Sequence, residues 1–89
     1  MEGGCFCQAV RYRLDAVSFD TGWCHCRICQ RVSGAPALVY TTVALSAFTL
    51  TRDDGLATIR TTDFGERRFC ARCGTHVAMR VDHEPDTID

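Results

Sequence analysis

The sequence predicts a mainly β domain of small antiparallel sheets gathered around a metal, with one short helical turn. Three observations carry this. The chain has 89 residues, too few to bury a large apolar core. Its β-branched and aromatic runs are four to eight residues long and are separated by Gly, Pro and Asp turn signals. Its seven cysteines fall into three tight clusters: Cys5-Phe6-Cys7, Cys24-His25-Cys26-Arg27-Ile28-Cys29 and Cys70-Ala71-Arg72-Cys73.

Composition narrows the class further. Hydrophobic residues make up 46% and charged residues 24%, which suits a globular chain and is too apolar for disorder. The net charge of −1 points to neither nucleic acid nor an anionic membrane as partner. No apolar run reaches the length of a membrane span. The start, Met1-Glu2-Gly3-Gly4-Cys5, has no basic patch leading into an apolar core, so no signal peptide is expected. The ten cationic residues are all arginine, a coding-composition bias with no functional content. The expectation is one domain spanning residues 1–89, in the cytoplasm.

Taken in order, Gly3-Gly4 reads as a flexible lead-in. Residues Ala9 to Leu14 alternate, with Val10, Tyr12 and Leu14 on one face and Arg11 and Arg13 on the other, which predicts a half-buried strand. Asp15-Ala16 turns into a second strand, Val17 to Cys24. Cys26 to about Val32 forms the helical turn, stopped at Ser33-Gly34, where glycine suits a left-handed C-terminal position. Leu38 to Val43 and Phe48 to Thr51 are strands on β-branched and aromatic content. Arg52-Asp53-Asp54-Gly55 and Thr62-Asp63-Phe64-Gly65 are turns, framing a strand from Leu56 to Thr61. Glu66 to Phe69 follows, then a Cys-x-x-Cys-Gly loop of zinc-knuckle form at Cys70 to Gly74, with Gly74 expected to relieve crowding. Thr75 to Val81 is a strand, and residues 86–89 begin a last one.

The thiols could instead be disulfides. The odd count, the missing leader and the two- and three-residue spacings favour a metal, whose ligands must converge on one point. Zinc takes four ligands in a closed structural site, whereas three protein ligands leave a position open. Cys24, Cys26 and Cys29 can form one site unaided, since a helical turn brings Cys29 beside Cys26. Cys5, Cys7, Cys70 and Cys73 then form the closed site and tie the two ends of the chain together. Two other arrangements stay open on spacing alone: a single zinc with the remaining thiols buried, and Cys5/Cys7 paired with Cys24/Cys26.

At these residues the sequence resembles the glutathione-dependent formaldehyde-activating enzyme family, which includes centromere protein V. The resemblance rests on Gly4-Cys5-Phe6-Cys7 with Val10-Arg11-Tyr12, on Cys24-His25-Cys26-Arg27-Ile28-Cys29, on Arg31 with Ser33-Gly34-Ala35-Pro36, and on Arg68-Phe69-Cys70-Ala71-Arg72-Cys73-Gly74-Thr75-His76. It covers nearly the whole chain. It implies an Mss4-like fold, structural zinc on Cys5, Cys7, Cys70 and Cys73, and a catalytic zinc on Cys24, Cys26 and Cys29. It also implies a carbon–sulfur lyase activity that condenses glutathione with formaldehyde. The sequence departs from the family at Gln8, where glycine is usual, at Ala37, where phenylalanine is usual, and at Val43-Ala44, which lacks a proline. It also ends before the family's usual C-terminal tail.

The functional expectation is therefore a zinc-dependent lyase acting on a small thiol and a small aldehyde. The alternative is a non-enzymatic zinc module that binds a protein partner. An unpaired edge strand at the C-terminal end leaves a homodimer open. Arg27 and Arg31 flank the triad and could pair a substrate carboxylate. His25 points away from its neighbouring ligands, His76 reads as a packing residue, His83 as solvated and Ser33 as a helix-end residue.

Overall fold

Antiparallel pairing governs this chain because its short β-rich runs are joined by tight turns. A computed structural model describes residues 1–89. Nine strands surround one helix: β1 (Glu2–Gly4), β2 (Val10–Leu14), β3 (Phe19–Cys24), α1 (Arg27–Ser33), β4 (Leu38–Ala44), β5 (Phe48–Asp53), β6 (Leu56–Thr62), β7 (Gly65–Cys70), β8 (His76–Val81) and β9 (Thr87–Ile88). They make three three-stranded sheets, ordered β1-β2-β5, β3-β4-β9 and β6-β7-β8. The mainly β, small-sheet class expected from the sequence is the one observed.

The first sheet corrects the reading of Gly3-Gly4 as a flexible lead-in. Those residues lie in β1, paired Gly3 to Tyr12 and Gly4 to Arg11. A Cβ at Gly4 would sit 2.3 Å from the Val10 carbonyl oxygen, so glycine is needed there for close approach. The loop from Cys5 to Ala9 closes through Cys5 N–H to the Val10 carbonyl at 3.0 Å and Gln8 N–H to the Cys5 carbonyl at 3.2 Å. The Cys5/Cys7 pair therefore converges through a turn.

In the second sheet, β3 starts two residues later than Val17, which is 90% exposed. Asp20 takes φ 50° and the pairing with β4 slips between Phe19 and Gly22. That bulge interrupts the strand expected from Val17 to Cys24. The helix behaves as its sequence predicts. Gly34 closes it at φ 68°, its N–H bonded to the Gln30 carbonyl. The last strand is short but well placed: Ile88 is buried, Val43 pairs with it, and Asp89 exchanges both backbone bonds with Met79 of β8. β9 thus bridges the second and third sheets.

Only ten of the 89 residues are buried, so apolar burial alone is thin support for the fold. The core has two small clusters. Val43, Ala47 and Ile88 make one, with Leu14, Leu45 and Phe48 packed against it. Cys5, Ala9, Val10 and Cys70 make the other, flanked by Leu50, Leu56 and Val77. Two of the four residues in this second cluster are thiols, which makes the cysteine chemistry part of the core.

Candidate metal centres and the cleft beside them

Two groups of thiols converge, and within each the sulfurs all lie within 4.8 Å of one another: Cys5, Cys7, Cys70 and Cys73, and separately Cys24, Cys26 and Cys29. The pairing of Cys5/Cys7 with Cys24/Cys26 does not assemble.

The four-thiol set joins the β1–β2 loop to the β7–β8 loop. Cys5 and Cys7 sulfurs are 3.6 Å apart, and Cys7 and Cys70 sulfurs 3.8 Å. A regular tetrahedron with metal–sulfur bonds of about 2.3 Å has edges of about 3.8 Å, so the donors fit zinc in kind and spacing. The second loop is wound by Gly74 N–H to the Cys70 carbonyl at 2.7 Å and Cys70 N–H to the Thr75 carbonyl at 2.9 Å. Gly74 is not there to relieve crowding, since a Cβ would meet nothing within 4 Å; its φ of 81° is what demands glycine. The Val10 N–H donates to Cys5 Sγ at 3.3 Å, and the Phe6 N–H donates to the Thr75 hydroxyl, stitching the loops together.

The three-thiol set sits where β3 ends and α1 begins. Cys26 is the N-cap of α1, and its Sγ accepts the Cys29 N–H at 3.3 Å. The Cys24 thiol donates to Cys26 Sγ at 3.3 Å. Cys29 is buried, Cys24 half-buried and Cys26 exposed. Three thiols leave one position of a tetrahedral ion free for an incoming ligand.

Ionisation within each set is split. The Thr75 hydroxyl and N–H pull the Cys73 thiol down to about 5. The Ala9 N–H pulls Cys7 down, but partial desolvation and the thiols of Cys5, Cys73 and Cys70 together push it up to about 11. In the triad the Cys29 N–H draws Cys26 down to about 7, while burial and the neighbouring thiol of Cys24 push Cys29 up to about 11. One thiolate opposes the next, and a divalent cation removes that conflict.

All three thiols of the triad line a cleft of about 1270 Å³ whose lining comes mainly from the second and third sheets. Its lining includes Trp23, Val39 and Tyr40 of the second sheet and Ile59, Arg67 and Met79 of the third. Arg67 was not singled out by sequence. It lies on the central strand β7, opposite Ile59 and Met79, and its Nη2 donates to Cys29 Sγ at 3.3 Å. The arginines that sequence did single out, Arg27 and Arg31, are exposed and do not line the cleft. His25 and His76 are exposed and line it. His83 is exposed and tilts against Phe64, ring centroids 6.5 Å apart. The Ser33 hydroxyl donates to the Cys29 carbonyl at 2.7 Å and accepts from the Ala35 N–H, as a helix-end residue does.

Residues 1–88 match the family described as "Glutathione-dependent formaldehyde-activating enzyme". A Halomonas elongata protein carrying the name "Putative glutathione-dependent formaldehyde-activating enzyme" is 31% identical over 100 residues. The match takes in 99% of this chain but 60% of that relative, so the chain spans well under its full length. A crystal structure of a Rhodobacter sphaeroides protein superposes with a TM-score of 0.82 at 23% identity, covering 99% of this chain and 81% of that one. That likeness shows the fold. No helix is long and apolar enough to cross a membrane.

Proposed function

We propose, on the premise that this chain belongs to the glutathione-dependent formaldehyde-activating enzyme family, that it joins a small thiol of the glutathione type to formaldehyde or a similar aldehyde. The observation that carries the reading is the contrast between a complete four-thiol set in the core and a three-thiol set open to a large cleft. Cys5, Cys7, Cys70 and Cys73 would hold one zinc, and Cys24, Cys26 and Cys29 a second. A zinc ion at the second set would supply the positive charge that keeps a neighbouring substrate thiol as thiolate, its nucleophilic form.

The chain's own residues supply the rest. Cys29 is fixed by burial in α1, and Cys26 by its capping bond, so the set is held against the cleft that all three thiols line. Three cysteinates around a divalent ion carry a net charge of −1, which disfavours activation of water and favours holding a soft nucleophile. The cleft exceeds the usual few hundred to about 1000 Å³ of a small-molecule site, leaving room for a tripeptide-sized thiol. The reaction forms one S–C bond and opens the aldehyde C=O π bond, and the thiol proton ends on the new hydroxyl oxygen. No oxidant or reductant enters.

Exchange spectroscopy on glutathione and ¹³C-formaldehyde tests this. The protein should accelerate formation and breakdown of the hydroxymethyl thioether adduct, and Cys26→Ser should abolish the acceleration with the fold intact. Exchange no faster than in buffer would overturn the reading. A second reading, a zinc module that docks a protein partner, draws on the exposed Trp23, which pairs directly with exposed Val39, and on nearby Phe19. It predicts no acceleration at all. Placement as one cytoplasmic domain over residues 1–89 belongs to the same proposal.

A further inference from the structure

Arg67 is half-buried on β7, with neighbours on both sides fixing its backbone. None of the ion pairs in the molecule includes it; these are Arg13–Asp15, Arg52–Asp54, Arg60–Asp82 and Arg68–Glu66. Its Nε is buried with no acceptor. Its guanidinium instead meets sulfur, through Nη2 to Cys29 Sγ at 3.3 Å. A guanidinium partly withdrawn from water without a carboxylate is costly unless negative charge is supplied nearby. With a divalent ion bound, the three-thiol set would supply it. Three thiolates around a divalent ion carry −1, and Arg67 brings the local sum to zero. A thiolate arriving at the open position returns the sum to −1 where it would otherwise be −2. A neutral donor such as imidazole changes nothing in this count.

We infer that Arg67 is the counter-charge and positioning residue of the three-thiol set, and that it biases the open position toward an anionic sulfur donor over a neutral one. The inference rests on reading that set as a metal site and does not require the lyase activity.

The test loads wild type, Arg67→Met and Arg67→Lys with Co²⁺ and follows thiolate-to-cobalt absorption. Chelator competition gives the affinity of the second ion. Titrations with glutathione and with imidazole give the affinities of the open position. Arg67→Met should keep the first ion, weaken the second by about tenfold or more, and weaken glutathione while leaving imidazole unchanged. Arg67→Lys, which keeps the charge, should restore the preference for glutathione. Unchanged second-ion and glutathione affinities in Arg67→Met would overturn the inference. So would equal losses for both ligands, which would mark a merely structural residue. If Arg67→Met fails to fold, Arg67→Lys decides: a preference retained supports the inference, and a preference lost refutes it. Wild type that prefers thiol but shows no aldehyde exchange would reject the lyase reading alone. Wild type that takes up one Co²⁺ only would reject both.

Discussion

The two thiol sets use the same donor and are built in opposite ways. The four-thiol set spans the chain from Cys5 to Cys73 and has Cys5 and Cys70 buried beside fully buried Val10. The three-thiol set spans six residues, and only Cys29 is buried. The first is reached through two wound loops that lock onto each other, and the second stands at the lip of a cleft. The difference teaches that ligand type does not assign the job of a thiol cluster. Sequence separation and burial do, because a long loop closed inside the core constrains the whole chain, whereas a local set can empty without unfolding it.

Removing one ligand from each set breaks the comparison most sharply. Cys70→Ser should abolish a cooperative thermal transition, since structural zinc contributes on the order of 10 kcal/mol or more in small zinc domains. Cys26→Ser should melt close to wild type. Differential scanning calorimetry reads both, and the opposite ranking would exchange the roles of the two sets.

The next effect acts on the hairpin that carries the first pair of ligands. Gly4→Ala forces a Cβ to within 2.3 Å of the Val10 carbonyl, which cannot move without displacing β2. A loss of about 2–3 kcal/mol in denaturant unfolding is expected, in the range of overpacked sites. The same change should not alter the open set's affinity for a thiol.

The smallest effect is a gain. Gln8 holds φ 66° in the Cys5–Ala9 loop, a left-handed conformation that costs a side chain on the order of 1 kcal/mol or more. The family resemblance marks this position as usually glycine, and the loop geometry gives the reason. Gln8→Gly should stabilise the protein by about 0.5–1 kcal/mol after the added flexibility of the unfolded chain is counted. It should also leave the triad untouched. A destabilised variant would show that the side chain makes a compensating contact.

Much of this was legible in the sequence, for reasons that can be named. The triad and the two thiol pairs are readable because ligand spacing is local and turn chemistry is local, whereas the joining of Cys5/Cys7 to Cys70/Cys73 is a contact across 63 residues that spacing alone left open. The helix stop at Gly34 is readable because a left-handed cap selects glycine. What the sequence conceals is non-local. Gly3-Gly4 look flexible in isolation and prove to be a strand whose glycines admit Tyr12 and Val10. Asp20, at φ 50°, lies in the gap where the pairing of β3 with β4 slips between Phe19 and Gly22, and that register is set by a strand some twenty residues away. Arg67 and Arg68 alternate on β7, one bonding Cys29 and the other Glu66, and what local sequence hides is that β7 meets a thiol 38 residues away. Arg27 and Arg31 look better placed because they neighbour the triad along the chain, yet the cleft opens on the other side.

The central claim is that one set is closed and structural and the other open to a thiol. Native mass spectrometry tests it most directly, on protein purified without added metal, before and after glutathione. The account predicts two zinc ions per chain and one glutathione adduct, with Cys26→Ser losing the adduct and keeping a zinc. One zinc per chain with no adduct at any glutathione concentration would contradict it.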